Sequence, residues 1–357
     1  MENTQNNNEM TIGIPRGMSF YHNYPFYHGF FTALGIKIIL SDLTTKQTLS
    51  SGSALVVTET CLPIKIYVGH ILNLLDKGVD KILVPSIQSI APKIYNCSKI
   101  RGLPDLIRNV VKRDFTMIEA TLDKSEKNQG LYEFLTETVA PFGITDEKLI
   151  KEASKAGWRT YNNFHIMSKS GMSYKKAMNY ALQGKVFIES ASEEHPISIA
   201  LVAHGYNIYD DRASMKIIDK LEKMDVKVYT SLQLSKEQMM EGINALGENL
   251  YWANEYEMTG TAGHYLKDNK IDGIVALNAF GCGPDSLMIE RIVRKAKHFN
   301  KPILHLTIDE QTGEAGFITR LEAFVDMLFR KKRAKIINKI DIHTQEYIPN
   351  TNFIETK

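Results

Sequence analysis

Apolar and polar positions follow two rhythms along this chain, and the rhythms take turns. Short apolar runs of strand length are followed by stretches with apolar residues at helical spacing. Residues 11–15 read as a first strand and 24–34 as a helix, with Gly35 as its C′ residue. Residues 36–40 form a second strand, and 54–57 a third that runs into Glu59 and Cys61. An amphipathic helix over 62–75 ends near Gly78, and a fourth strand over 81–85 leads to the segment carrying Cys97. This order predicts a parallel sheet with helices on its faces.

The pattern then changes. After a short apolar segment at 116–119 the chain is Lys- and Glu-rich at helical spacing, as over 146–156 and 174–183. From Pro196 the first pattern returns. Strands are expected over 197–203, 226–229, 273–277 and 302–308, with helices over 214–224, 285–298 and 319–330. The chain therefore divides into a disordered tail (1–10), a first α/β lobe (11–110), a mainly helical layer (111–195), a second α/β lobe (196–340) and a C-terminal tail (341–357). The expected fold class is α/β, with two doubly wound, Rossmann-like parallel sheets around a helical middle. No Pro- or Gly-rich linker separates the lobes, so they are expected to pack together and form a cleft.

Composition narrows the function classes. A hydrophobic fraction of 43% and a charged fraction of 24% are ordinary for a globular protein. A net charge of +2 gives no reason to invoke nucleic acid or a membrane surface. The basic run Arg330-Lys-Lys-Arg333, with Lys335, reads as a solvated helix end. No apolar stretch reaches the roughly 20 residues of a bilayer span, and the polar N-terminus lacks a signal-peptide core. The expectation is a cytoplasmic protein in a reducing compartment, and the odd count of three cysteines agrees.

Those cysteines are the most informative residues. Cys61, Cys97 and Cys282 are each expected just past a strand, beside turn-forming residues: Pro63 near Cys61, and Gly281, Gly283 and Pro284 around Cys282. The carboxyl ends of strands form the ligand crevice of an open α/β sheet. Three thiols delivered there would suit one metal centre, and in an iron–sulfur cubane they would leave one iron without a cysteine. Each thiol also has an ordinary reading as a small buried hydrophobe. Zinc stays open, with His70, His204 or Glu59 as a fourth ligand, although the paired C-x2-C units of zinc sites are missing.

Three further groups attract attention. Asp309-Glu-Gln-Thr-Gly-Glu-Ala-Gly316 is either a helix-capping loop or a source of proton-transfer groups, Glu310 and Glu314. His204-Gly205 takes the place in the second lobe that Arg16-Gly17 takes in the first, and either loop is suited to presenting amides to an anion. Lys65 and Lys99 lie near cysteines and are expected to be solvated. The chain has no phosphate-binding P-loop, no G-x-G-x-x-G fingerprint and no G-x-S-x-G elbow, which argues against P-loop ATP hydrolysis and a classical nicotinamide site.

The segments Glu59-Thr-Cys-Leu-Pro-Ile-Lys65, Phe280-Gly-Cys-Gly-Pro-Asp-Ser286 and Asp309 to Gly316, with the opening Ile12-Gly-Ile-Pro-Arg16, resemble the acyl-CoA dehydratase activase-related proteins. These are similar to the iron–sulfur subunits of 2-hydroxyacyl-CoA dehydratases. The resemblance runs from about residue 11 to residue 330. It implies that Cys61, Cys97 and Cys282 ligate a [4Fe–4S] cluster with one open iron. It also implies two partners, a related iron–sulfur subunit and an ATPase activator that supplies a low-potential electron, and an acyl-CoA substrate. In such enzymes the electron reaches the thioester carbonyl and the 2-hydroxyl group is lost. Glu59, His204, Glu310 and Glu314 are the candidate catalytic residues. Two other readings stand beside this one: a non-catalytic electron-transfer or assembly subunit, and a cluster-free ligand-binding α/β protein.

Overall fold

A computed structural model describes residues 10–188, 195–247, 250 and 252–345. Eleven strands occur among them: β1 (Thr11–Ile14), β2 (Lys37–Leu40), β3 (Lys81–Leu83), β4 (Ser86–Ala91), β5 (Ile94–Tyr95), β6 (Thr116–Ile118), β7 (Thr121–Asp123), β8 (Ile197–Val202), β9 (Val226–Tyr229), β10 (Gly273–Ala279) and β11 (Ile303–Ile308). They form an α/β fold. One sheet has the order β2-β1-β3-β6 and another β11-β10-β8-β9, and every pairing within these two is parallel. Counted within its own lobe, each sheet runs 2-1-3-4. A small third sheet, β5-β4-β7, mixes an antiparallel hairpin with a parallel pair.

In a 2-1-3-4 sheet the chain reverses its direction of travel across the sheet between strands 1 and 3. The crevice at that switch point takes ligands. Here the switch points are β1/β3 and β8/β10. β10 is buried at all seven positions because helices cover both of its faces, and this explains its uninterrupted apolar run. In the first lobe the core includes Phe30 and Phe31 of the helix Phe20–Ala33, both fully buried, each stabilising by about 1.5–3 kcal/mol. That helix packs along Glu147–Lys169, the longest helix of the middle region, and so ties the helical layer to the first sheet.

Several sequence expectations are corrected. Residues 54–57 are not a strand. β1 already has β2 on one side and β3 on the other, so no place beside it remains. The chain instead forms a helix, Lys46–Ser53, with a Thr45–Thr48 capping box, and then a turn that leaves Val57 72% exposed. This helix lies close against the next, Leu62–Asp76, and the approach depends on two glycines. A Cβ on Gly52 would collide with the Lys65 carbonyl, and one on Gly69 with the Thr48 carbonyl.

The first sheet also reaches past residue 110. β6 is its fourth strand, and the helical run starts only at Leu131. Three-residue strands carry too little pattern to be read from sequence. The closing helix spans Glu314–Gln345, longer than the expected 319–330. Arg330 to Arg333 therefore lies within that helix and not at its end, and Lys332 pairs with Asp272 at 3.0 Å. The side chain of Lys335, the N-terminal residues 1–9 and residues 346–357 lie outside the described residues. Among the described residues no helix is long and apolar enough to cross a membrane.

Candidate functional site

The two switch points face each other across a cleft. Between them lies a cavity of about 630 Å³, bordered by the ends of β1 (Ile14, Pro15) and β3 (Leu83) and by His204 after β8. The lobes are tied around it. Asp210 of the second lobe accepts hydrogen bonds from Tyr21 (2.9 Å) and Thr44 of the first. Lys65 pairs with Glu310 at 2.5 Å.

At the floor of the cavity four ionisable side chains form a chain across the lobes. His22 pairs with Glu257 at 3.2 Å, His204 faces the other oxygen of Glu257 at 3.7 Å, and His204 Nε2 meets Asp285 at 2.8 Å. Ser231 also donates to Glu257, at 2.7 Å. Burial opposes charge on His204, but Asp285 and then Glu257 outweigh it and lift its pKa to about 10. Burial likewise opposes charge on Glu257, yet His22 and His204 hold it well below the usual carboxylate range. For His22 burial is again the opposing cause, and Glu257 raises it. The floor is thus a row of alternating basic and acidic side chains, His22, Glu257, His204 and Asp285.

Gly205 makes this row possible. A Cβ there would collide with the His22 ring, so only glycine lets the first-lobe histidine reach Glu257. The expected role of His204-Gly205 as an anion-binding loop is replaced by this one. The helix that follows, Gly205–Tyr209, is a five-residue turn whose start is filled by the His22 imidazole.

Of the three cysteines, each expected just past a strand, only Cys282 follows a strand of the two parallel sheets; Cys61 follows the turn at 54–60, Cys97 follows the short β5, and none lines the cavity, but each occupies the same kind of position. Cys61 is the N-cap of Leu62–Asp76, Cys97 of Ser98–Arg101 and Cys282 of Gly283–His298. None is in a disulfide, Cys61 is buried, and the other two are partly buried. Their segments touch: Lys99 Nζ donates to the Glu59 carbonyl (3.4 Å), and a Cβ on Gly281 would lie 3.2 Å from that same oxygen. Burial raises the pKa of the Cys61 thiol, with Cys97 and Asp285 adding to the rise and Lys99 opposing it. Burial and then Asp285 push the Cys282 thiol far up. Tyr206 lines the cavity. Its hydroxyl is raised by burial first, then by Asp285, Cys282, Cys61 and Cys97, so all three thiols lie within its electrostatic reach.

The other expected site residues are scattered. The Glu59 side chain is exposed beside Cys61. Glu314 is exposed and paired with Lys220 at 2.7 Å, away from the cavity lining. Lys65, expected to be solvated, is only 2% exposed and holds both Glu310 and the Thr58 carbonyl (2.8 Å), so it fixes the loop ahead of Cys61. Lys99 is partly buried. His70 is fully buried, bonded to Thr44 at 2.9 Å, and burial keeps it neutral with a pKa of about 3. Sequence reasoning missed His22 and Glu257. No local motif marks them, and only the folded chain brings them together.

A family model described as the CoA enzyme activase uncharacterised domain (DUF2229) matches residues 11–234, more than half of the chain. The chain belongs to this family. The matched segment carries Cys61, Cys97, His22 and His204, while Glu257, Cys282 and Asp285 follow it. No curated protein matches the chain.

The donor set can be compared with the needs of a four-iron cluster. Among the described residues no group of three or more His, Cys, Asp or Glu is gathered as for a metal ion. A cubane asks for something different, because each thiolate binds its own iron. Three free thiols in segments that meet at the Glu59 carbonyl, Cys61 and Cys282 at the starts of helices long enough for the dipole to favour negative charge, fit that requirement. Burial keeps the Cys61 and Cys282 thiols protonated in the free chain.

Proposed function

We propose that this chain is the [4Fe–4S] component of a 2-hydroxyacyl-CoA dehydratase-like or related ATP-driven low-potential reductase system. Cys61, Cys97 and Cys282 would hold the cluster. When bound, it would supply a low-potential electron and one iron open to a substrate. A separate ATPase activator and a related iron–sulfur subunit are the partners this reading implies, with an acyl-CoA as substrate. The observation that carries it is the recurrence of one arrangement, a free cysteine at the N-cap position of a helix, in three segments that meet at the Glu59 carbonyl. Membership of a family described as CoA enzyme activase supports the CoA connection.

The chain's own residues have definite tasks in this reading. Lys65 and Glu310 hold the Cys61 loop to the second lobe and so set the distance between Cys61 and Cys282. His204, charged and held between Asp285 and Glu257, offers a proton at the cavity floor. The test is iron and acid-labile sulfide analysis after anaerobic purification and reconstitution. About four irons per chain are expected, with loss in each of the Cys61→Ser, Cys97→Ser and Cys282→Ser variants. A folded chain that takes up no iron refutes the reading.

A further inference from the structure

The cavity has a chemistry that the cysteines do not use. Small-ligand pockets are typically about 300–1,000 Å³, mostly apolar, with a few convergent polar groups. This one has about 630 Å³, and side chains such as Met18, Phe20, Tyr27, Leu232 and Met239 form an apolar and aromatic wall. The floor carboxylate, Glu257, is already satisfied by His22, His204 and Ser231. The rim is different. Lys169 and Lys236 both line it, and both act on His165, whose Nε2 is buried with no hydrogen-bond partner among the described residues. Exposed Glu237 lies within the field of the same two lysines, so the rim carries close to one net positive charge.

We propose that this cavity binds a small organic monocarboxylate, with its apolar or aromatic body against the wall and its carboxylate at Lys169 and Lys236. A second carboxylate at the floor would meet the charge of Glu257, whereas at the rim it meets two ammonium groups. One net charge there matches a monoanion better than a polyphosphate. The proposal rests on the cavity lining and not on the cysteines, so it stands or falls apart from the cluster.

The experiment is calorimetric titration of the full chain with 4-phenylbutyrate and octanoate, each compared with its neutral amide. Trp158, which lines the cavity, gives a parallel fluorescence signal. Each acid should bind about tenfold more tightly than its amide, since two solvent-facing ion pairs are each worth a factor of up to about five. The double variant Lys169→Ala/Lys236→Ala should erase that preference and leave amide binding as it was. Filling the cavity by Ala253→Phe, or by Met239→Trp if the first fails to fold, should abolish binding of both. Equal binding of acid and amide, an intact preference in the lysine variant, or unchanged affinity in a folded filled variant overturns the proposal. The Cys61→Ser chain should bind the acids as the parent does. A parent chain that takes up no iron on reconstitution yet binds the acids refutes only the cluster, and an iron-loaded parent that binds neither acid refutes only the cavity ligand.

Discussion

Replacing His204 by glutamine tests the charge row at its centre. His204 and Asp285 are 2% and 1% exposed, so neither charge is relieved by water. A folded-state pKa of about 10 against an unfolded value near 6.5 stabilises the fold. Because the folded value is the higher one, this contribution is complete below pH ~6.5 and disappears as pH rises through ~10. Integrating between the two values gives about 4–5 kcal/mol near pH 6 and about 1–2 kcal/mol near pH 9, a fall of about 3 kcal/mol. The magnitude agrees with the roughly 3–5 kcal/mol lost when one member of a buried ion pair is removed. The assay is urea unfolding of the parent and His204→Gln chains at pH 6, 7.5 and 9. The difference between them should be largest at the lowest pH and shrink by about 3 kcal/mol across the range. In an Asp285→Asn background the same substitution should cost much less, because the buried carboxylate that needs a cation is gone. A difference that is flat with pH, or that grows toward pH 9, refutes a protonated His204 in the folded state.

Two more substitutions probe the scaffold. Gly205→Ala should push His22 off Glu257 and destabilise by about 1–3 kcal/mol, with much of that recovered in the Gly205→Ala/His22→Ala double variant. Equal losses in the single and double variants on thermal denaturation would contradict the steric account. Lys65→Met should leave a fully folded chain whose amides at residues 58–65 exchange faster, because the loop loses its tie to the second lobe. Iron retention should fall in parallel if the loop sets the position of Cys61, whereas unchanged exchange there would mean that the ion pair does not hold the loop.

The sequence by itself determined the strands with long apolar runs. β8 and β10 are legible because burial between helices demands a nearly continuous apolar run, and β11 is legible as an edge strand whose Leu306 and Ile308 are buried while His305 and Thr307 are exposed, patterns that are local. It also marked the loops at Cys61 and Cys282, since the turn-forming residues beside them are read directly. Tertiary structure decided the rest. Residues 54–57 carry a strand-like run, but both sides of β1 were taken, and sheet occupancy is not a local property. Lys65 looks like any solvated lysine until Glu310, 245 positions away, closes over it. His22, Glu257 and Asp285 have no shared motif. What joins them is the facing of two sheets across a cleft, and the single missing Cβ at Gly205 through which one lobe reaches the other.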